Sequence, residues 1–441
     1  MPNLPATDLT GAGPGGLNLL SASEARARLD RGEITAEQLV RDCLARIEAR
    51  EPDIDAWVFL DSGLALAQAR ARDNERPRGL LHGIPVAIKD IYDTADMPTA
   101  YGTTIHQGHQ PAVDSAWVAA LRDGGAVILG KTRTTEFANL YPTTTRNPHN
   151  FERTPGVSSS GSAAAVADFM VPLATGSQTG GSVIRPAAMC GVYGYKPSFG
   201  EFPSGGVRHA KPSIDTPGLF ARTLDDIALM RAASLGQAPA PLDLPGDSRL
   251  RVGVCRTENW SQALPESVAM ITETTEKLAE AGAAVSYIEP PAEVSQAMAE
   301  FWSIVATEDA KAIATEGRDH FDQLNPWSQK IVSEAKDHTE AQYQKAKALA
   351  VRGRTAIDAV FEDFDVLITP SARGEAPKDL SAMEHSYFNS IWTLMYLPCL
   401  SLPAFTGPSG MPVGLQLVGH RNADERLLAI GHWIEQRIGS A

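Results

Sequence analysis

Apolar residues recur at helical spacing over residues 21–51, and Thr35-Ala36-Glu37-Gln38 has the form of a capping box, which predicts a helical entry to the chain. Gly83-Ile84-Pro85-Val86-Ala87-Ile88-Lys89-Asp90 reads as a short buried strand that stops at a charged pair. Residues 114–122 suit a helix and residues 126–129 a fully apolar strand. Residues 251–255, 285–288 and 366–369 repeat that strand pattern, each beside a helical neighbour. Such alternation predicts an α/β sheet. Helical patterns dominate from about residue 293 to 361, strand character returns at 399–405 and 412–418, and a last helix ends near Ile438.

The flanking and joining segments carry less. Residues 1–18, rich in Gly and Pro, form an irregular lead-in, and residues 19–441 are expected to fold as one domain. Residues 237–245, with Pro239, Pro241 and Pro245, read either as a linker between a front half carrying the motifs and a back half, or as a surface loop. No repeat of fixed period and no low-complexity tract is present.

Composition narrows the function classes. At 441 residues, with 43% apolar and 21% charged positions, the chain is an ordinary globular one with a large interior rather than a disordered one. A formal net charge of -14 argues against nucleic acid or an anionic membrane as partner, since both need concentrated positive surface. Cys43, Cys190, Cys255 and Cys399 are scattered and read as buried free thiols. The start lacks a basic stretch followed by an apolar run, and no run approaches the ~18 apolar residues of a membrane span. A cytoplasmic protein acting on a small molecule is the expectation.

Three patterns point elsewhere and are set aside. Gly11-Ala12-Gly13-Pro14-Gly15-Gly16 spells a dinucleotide fingerprint, but no strand precedes it and Pro14 sits inside the turn. Gly125-Ala126-Val127-Ile128-Leu129-Gly130-Lys131-Thr132 spells a phosphate-binding loop, yet its four middle residues are strand formers that belong in a sheet core. His106 and His109 lie on a polar, turn-like segment with no acidic or cysteine partner nearby in sequence, so a solvated loop is expected and no metal site. A Gly-x-Ser-x-Gly elbow is absent, so a serine nucleophile here needs a base other than the histidine of that motif.

The densest unusual stretch is Thr154-Pro155-Gly156-Val157-Ser158-Ser159-Ser160-Gly161-Ser162 with an Ala-rich run after it, then Thr175-Gly176-Ser177-Gln178-Thr179-Gly180-Gly181-Ser182-Val183-Ile184-Arg185-Pro186. Small residues around hydroxyls let backbone amides approach a ligand closely and point inward, as an oxyanion hole requires. These residues resemble the amidase signature family, whose motif runs Gly-Gly-Ser-Ser-Gly-Gly-Ser and later Gly-Gly-Ser before an Arg and a Pro. The 24 positions from Ser158 to Ser182 match the family's spacing, and Gly83–Asp90 looks like its lysine motif. The likeness runs through Gly130-Lys131-Thr132 and Thr135-Glu136-Phe137-Ala138 to Leu402-Pro403-Ala404 and Gly414-Leu415-Gln416-Leu417-Val418-Gly419. Two departures stand out: Val157 where the family usually has Gly, and Gln178 where it often has Asp.

The resemblance implies one α/β domain of the amidase signature fold, with a twisted mixed sheet of about eleven strands covered by helices on both faces. It also implies a triad: Ser182 as nucleophile, Ser158 as proton relay after a cis peptide bond, and Lys89 as base. Backbone amides of Thr179, Gly180, Gly181 and Ser182 would form the oxyanion hole. Lysine acts as a base only when uncharged, which burial at the end of an apolar strand achieves; the competing reading is a lysine salt-bridged to Asp90. Arg185 either reads a substrate carboxylate, as in the malonamidase-like branch that Ser182-Val183-Ile184-Arg185 resembles, or pairs with an internal one. Arg208 reaches substrate or is solvated, and Tyr141 and Trp392 line a pocket or pack in the core.

The function expected is hydrolysis of an amide, aryl amide or carbamate (urethane) through an acyl-enzyme, with no cofactor and no metal. Two alternatives stay open: the glutaminase subunit of a tRNA-dependent amidotransferase, which needs partner subunits, and a catalytically retired amidase fold serving as a binding protein. The assembly state is also open, a homodimer included.

Overall fold

The computed structural model describes residues 15–244, 249–382 and 385–439. Most of the lead-in, the first four residues of the glycine pattern at 11–16, and Pro245 lie outside the described residues. In chain order the strands are β1 (Trp57–Leu60), β2 (Pro85–Lys89), β3 (Val127–Thr132), β4 (Leu173–Gln178), β5 (Tyr193–Lys196), β6 (Thr216–Ala221), β7 (Arg251–Cys255), β8 (Ala284–Ile288), β9 (Val366–Pro370), β10 (Cys399–Thr406) and β11 (Pro412–Val418). They join in one eleven-stranded mixed sheet, ordered β1-β3-β2-β4-β6-β5-β10-β11-β9-β7-β8.

That order places β5 beside β10, so the front and back halves of the chain share one sheet. The proline-bearing stretch is the connection from the helix Leu224–Leu235 to β7. Two parallel runs, β3-β2-β4 and β9-β7-β8, are joined through antiparallel strands. The parallel strands β2, β3 and β4 are buried at every position, which is why their sequences read as apolar runs rather than alternating ones. The phosphate-loop spelling at 125–132 is therefore a core strand, as its side chains dictate.

The strand β4 is where local reading misleads. Thr175-Gly176-Ser177-Gln178 reads as a loop by composition, but it is paired with β6 along its full length. A Cβ on Gly176 would stand 2.5 Å from the Phe220 ring, so the glycine is there to let that ring lie against the strand. Packing overrides propensity. Among the helices, Ala36–Ile54 starts at the expected capping box: Thr35 accepts from Gln38 N, and the Gln38 side chain accepts from Thr35 N. The four cysteines are buried and free. Among the described residues no helix is long and apolar enough to cross a membrane.

The helix Ser160–Ala167 is held against the sheet by backbone contact. A Cβ on Gly161 would meet Ala56 O at 2.3 Å and Arg133 N at 2.6 Å, and neither backbone atom can yield as a side chain would. Gly161→Ala is expected to cost about 2 kcal/mol of stability, read as a lowered midpoint in urea unfolding. An unchanged midpoint would show that this helix is not pinned as described.

Candidate active site

Parallel pairing of β2 and β4, with Val86 opposite Leu173 and Ala87 opposite Ala174, brings the carboxyl ends of both strands to one edge of the sheet. The period of two puts Thr175 and Ser177 on the same face of β4. Lys89, the last residue of β2, donates its backbone N–H to Thr175 Oγ1 at 2.8 Å. Its Nζ stands 2.8 Å from Ser177 Oγ and 2.9 Å from both Ser158 Oγ and Ser159 Oγ.

The side chain is 0% exposed, and no carboxylate pairs with it among the described contacts. Asp90, its partner in the salt-bridge reading, lies instead beside the buried Lys131, 3.2 Å from Nζ. Burial drives the Lys89 pKa well below the ordinary value of 10.5. The charge of Asp215 opposes this shift, and that of Lys211 adds to it.

A cavity of about 650 Å³ opens beside this cluster, with Val157, Thr179, Gly180, Gly181, Ser182 and Arg185 in its wall. A larger groove, about 1110 Å³, runs along the helix Ala36–Ile54 and holds none of the residues singled out from sequence. Among the described hydrogen bonds, the backbone N–H groups of Gly180, Gly181 and Ser182 donate to nothing within the protein. They remain available to a ligand. A Cβ at Gly181 would stand 2.5 Å from Asn389 Oδ1, so only glycine fits there.

The turn after Ser182 depends on Gln178, one of the two residues that depart from the family pattern. Its Oε1 accepts from Val183 N and Ile184 N, each at 3.0 Å, and its Nε2 donates to Thr393 Oγ1 at 3.1 Å. A neutral amide here caps the helix Ile184–Cys190. Thr179 Oγ1 donates to Asp215, whose other oxygen accepts from Ala210 N at 2.9 Å and Lys211 N at 2.8 Å. The loop 179–182 is thus held at both ends.

Not every expectation is met. The structure brings Lys89 and Ser158 together, but among the described hydrogen bonds none joins Ser158 to Ser182. All described peptide bonds are trans, so the cis bond implied before Ser158 is not formed. The chain turns instead at Gly156, at φ 104°, where an added Cβ would stand 2.8 Å from Pro186 Cα.

Arg208 does not border the cavity, and its partly buried side chain is paired rather than free in solvent. Its Nη2 lies 2.6 Å from Glu316 Oε1, and its guanidinium sits over the rings of Tyr101 and Phe137. His106, expected on a solvated loop, meets the same Glu316 oxygen at 2.7 Å, an acidic partner 210 positions away in sequence. Among the described residues, no group of three His, Cys, Asp or Glu is placed to hold a metal ion. Trp392 is buried in an apolar cluster with Ile184 and Met395, and neither it nor Tyr141 borders the cavity.

Sequence reasoning missed Ser159 and Ser177 around the amine, and Asn139, Lys211 and Asp309 in the cavity wall. Reading β4 as a strand would have found Ser177 from its period. Nothing local marks the others, because long-range packing brings them in.

Comparison with known proteins bears on the chain as a whole. The "Amidase" family model matches residues 38–428. A glutamyl-tRNA(Gln) amidotransferase subunit from Chloroflexus aggregans is 34% identical, over 94% of this chain and 96% of the relative. A crystal structure of an amidase superposes with a TM-score of 0.87 at 28% identity, covering 95% of this chain and 100% of that one. A peptide amidase from Stenotrophomonas maltophilia superposes with a TM-score of 0.83 at 29% identity, covering 95% and 97%.

The lowered Lys89 pKa has a thermodynamic signature. Between that lowered folded value and 10.5, folding strips a proton from a lysine that is charged when unfolded, so the unfolded state binds more protons and stability rises with pH. Relative to Lys89→Met, the wild type should therefore gain about 1.4 kcal/mol per pH unit in this window, measured by chemical denaturation from near neutrality towards pH 10.5. A difference that stays flat with pH would mean that Lys89 is charged in the fold.

Proposed function

The chain belongs to the amidase family, and from that premise we propose that it hydrolyses the carbon–nitrogen acyl bond of small amides, aryl amides or carbamates, with Ser182 as nucleophile, Ser158 as proton relay and Lys89 as base. The observation that carries the reading is the Lys89 amine, enclosed by three hydroxyls and no carboxylate. A neutral amine offers two N–H donors and one lone pair, so three hydroxyl neighbours satisfy it when one of them donates. Ser159 Oγ is placed to donate elsewhere, lying 3.4 Å from the Ser177 carbonyl. Ser158 is thus a suitable hydroxyl to point its proton at the lone pair.

Attack begins as Ser182 Oγ bonds to the substrate carbonyl carbon and passes its proton to Ser158 Oγ, which hands its own to Lys89 Nζ. The transfer requires contact between the two serine hydroxyls. The oxyanion is met by the undonated N–H groups of the 180–182 loop, each worth ~3 to 4 kcal/mol in comparable sites. The carbon–nitrogen bond then breaks as the proton returns through Ser158 to the leaving nitrogen, which departs poorly unprotonated. Water repeats the sequence on the acyl-enzyme, and each proton taken up by Lys89 is returned.

Likeness to the glutamyl-tRNA(Gln) amidotransferase proteins supports a second reading, in which the chain works within a complex. Arg185, buried in the cavity wall three residues after Ser182, is in place to meet an acidic group on the substrate in either case.

In the purified chain, Ser182→Ala should lower kcat by about 10⁴-fold or more with an unaltered circular dichroism spectrum, and Lys89→Ala should slow acylation and displace the pH–rate profile. Normal turnover in either variant would defeat the assignment. A panel of aliphatic amides, anilides, dicarboxylic monoamides and small urethanes, read by released amine, fixes the substrate class. Preference for monoamides identifies Arg185 as a carboxylate reader. Activity that emerges only with partner proteins would instead favour the second reading.

A further inference from the structure

The segment between β5 and β6 touches the reacting groups on one side and a far wall of the cavity on the other. On the reacting side it is bonded to the chain just past Lys89: Arg208 N donates to Ile91 O at 3.0 Å, and Asp93 N donates to Gly206 O at 3.1 Å. Asp215 ties the same segment to the loop that carries Ser182. Its carboxylate accepts from Thr179 Oγ1, and also from Ala210 N and Lys211 N at 2.9 and 2.8 Å.

On the other side, three acids of the helices Phe301–Ala312 and Ala314–Asp319 each meet a residue of this segment. Glu308 accepts from Ser213 N at 3.0 Å and from Ser213 Oγ at 2.5 Å. Lys211 Nζ lies 2.9 Å from Asp309 Oδ1, and Arg208 Nη2 lies 2.6 Å from Glu316 Oε1. All three acids are buried. The first of these helices also carries Phe301, Trp302 and Val305 into the cavity wall, where Trp302 meets Trp327 edge-on at 5.8 Å between ring centroids.

Two kinds of contact therefore hold this wall to the front half. One is a small apolar cluster in which Tyr101 and Phe137 pack against Ile313, Leu324 and Ile331. Apolar burial is non-directional, so it keeps the helices on the body without fixing how far they slide. The other is the polar seam, whose charge-assisted bonds are short and directional. A helix that slid would leave buried carboxylates without partners, which is costly. The seam thus decides where the wall stands. Because its loop side is fixed to Ile91 and Thr179, it sets that position relative to the groups that react.

We propose that Arg208 and Glu316 are positioning residues for specificity: through the segment 206–215 they hold the wall of Phe301, Trp302 and Val305 at a fixed distance from Ser182, and so select substrates by the length of the group that reaches this wall. This rests on the reading of Ser182 as nucleophile and adds what limits substrate size. Neither Arg208 nor Glu316 borders the cavity, so a change in either acts through the wall and not by touching substrate.

The test uses two series of anilides: p-nitroanilides of straight-chain acids from acetyl to decanoyl, and acetanilides with para-alkyl groups of increasing length. Together they probe both ends of the reacting bond, and kcat and KM are read for every member. Glu316→Asp keeps the charge but shortens the arm by one methylene, so the pair closes only if the wall moves inward. In at least one series it should raise KM about tenfold for the longest substrates that the wild type accepts, with kcat and KM of the shortest member within about twofold. Arg208→Lys shortens the same arm from the loop side and should shift the profile in the same sense. Arg208→Met/Glu316→Leu removes the pair without leaving a lone charge and should flatten the dependence on length. Glu316→Gln, which keeps the arm length and the acceptor oxygen, should retain the wild-type profile.

A wild type indifferent to length in both series, variants that lose every length alike, or a profile unchanged in Glu316→Asp and Arg208→Lys would overturn the proposal. If the double variant does not fold, those two single variants decide. Ser182→Ala separates the two levels: anilide hydrolysis that survives it discards the nucleophile, whereas Ser182-dependent hydrolysis with an unmoved length profile discards only the positioning role.

Discussion

A fully buried amine with no carboxylate paired to it is the constraint to which the rest of the site answers. Charged, Lys89 would be severely destabilising at a fully buried position; uncharged, it needs only ordinary hydrogen-bond partners. Ser158, Ser159 and Ser177 supply these without introducing a charge that would hold the proton on nitrogen. The nearby acid that would do so, Asp90, is occupied by Lys131. Two adjacent buried lysines thus meet opposite fates, one paired with a carboxylate and one set among alcohols.

The sheet makes this arrangement by juxtaposing parallel strand ends. Lys89 and Ser177 lie on neighbouring strands, while Ser158 and Ser159 arrive from the turn before the helix Ser160–Ala167. Support also comes from the far half of the chain. Gly181 rests against Asn389, whose Nδ2 donates to Ser371 O and to Gln416 Oε1, and Gln416 lies on β11. The motif-bearing front half and the back half are therefore one mechanical unit around the cavity.

The helices between residues 292 and 334 add a further wall of the cavity. They carry Phe301, Trp302, Val305 and Asp309 into the wall, and Glu316 ties the same region to Arg208 and His106 in the front half. The polar bonds of Glu316 therefore set the position of this wall relative to Ser182, and Arg208 serves the shape of the cavity rather than its lining.

How much of this was legible in the sequence differs by kind of feature. The strands at 251–255 and 412–418, the helix after Thr35 and the strand before Lys89 follow from local periodicity and capping, which short-range sterics dictate. The spacing of Ser158 and Ser182 likewise carried the family resemblance, and the apolar run ahead of Lys89 its burial. Pairing was not legible: β4 is a strand because β2 and β6 flank it, and its Thr-Gly-Ser-Gln reads as a loop without them. The tertiary structure alone decided which acid lies beside which base, sending Asp90 to Lys131, Glu316 to Arg208 and His106, and Asp309 to Lys211. Those choices depend on contacts between residues far apart in the chain, for which sequence offers no period and no spacing.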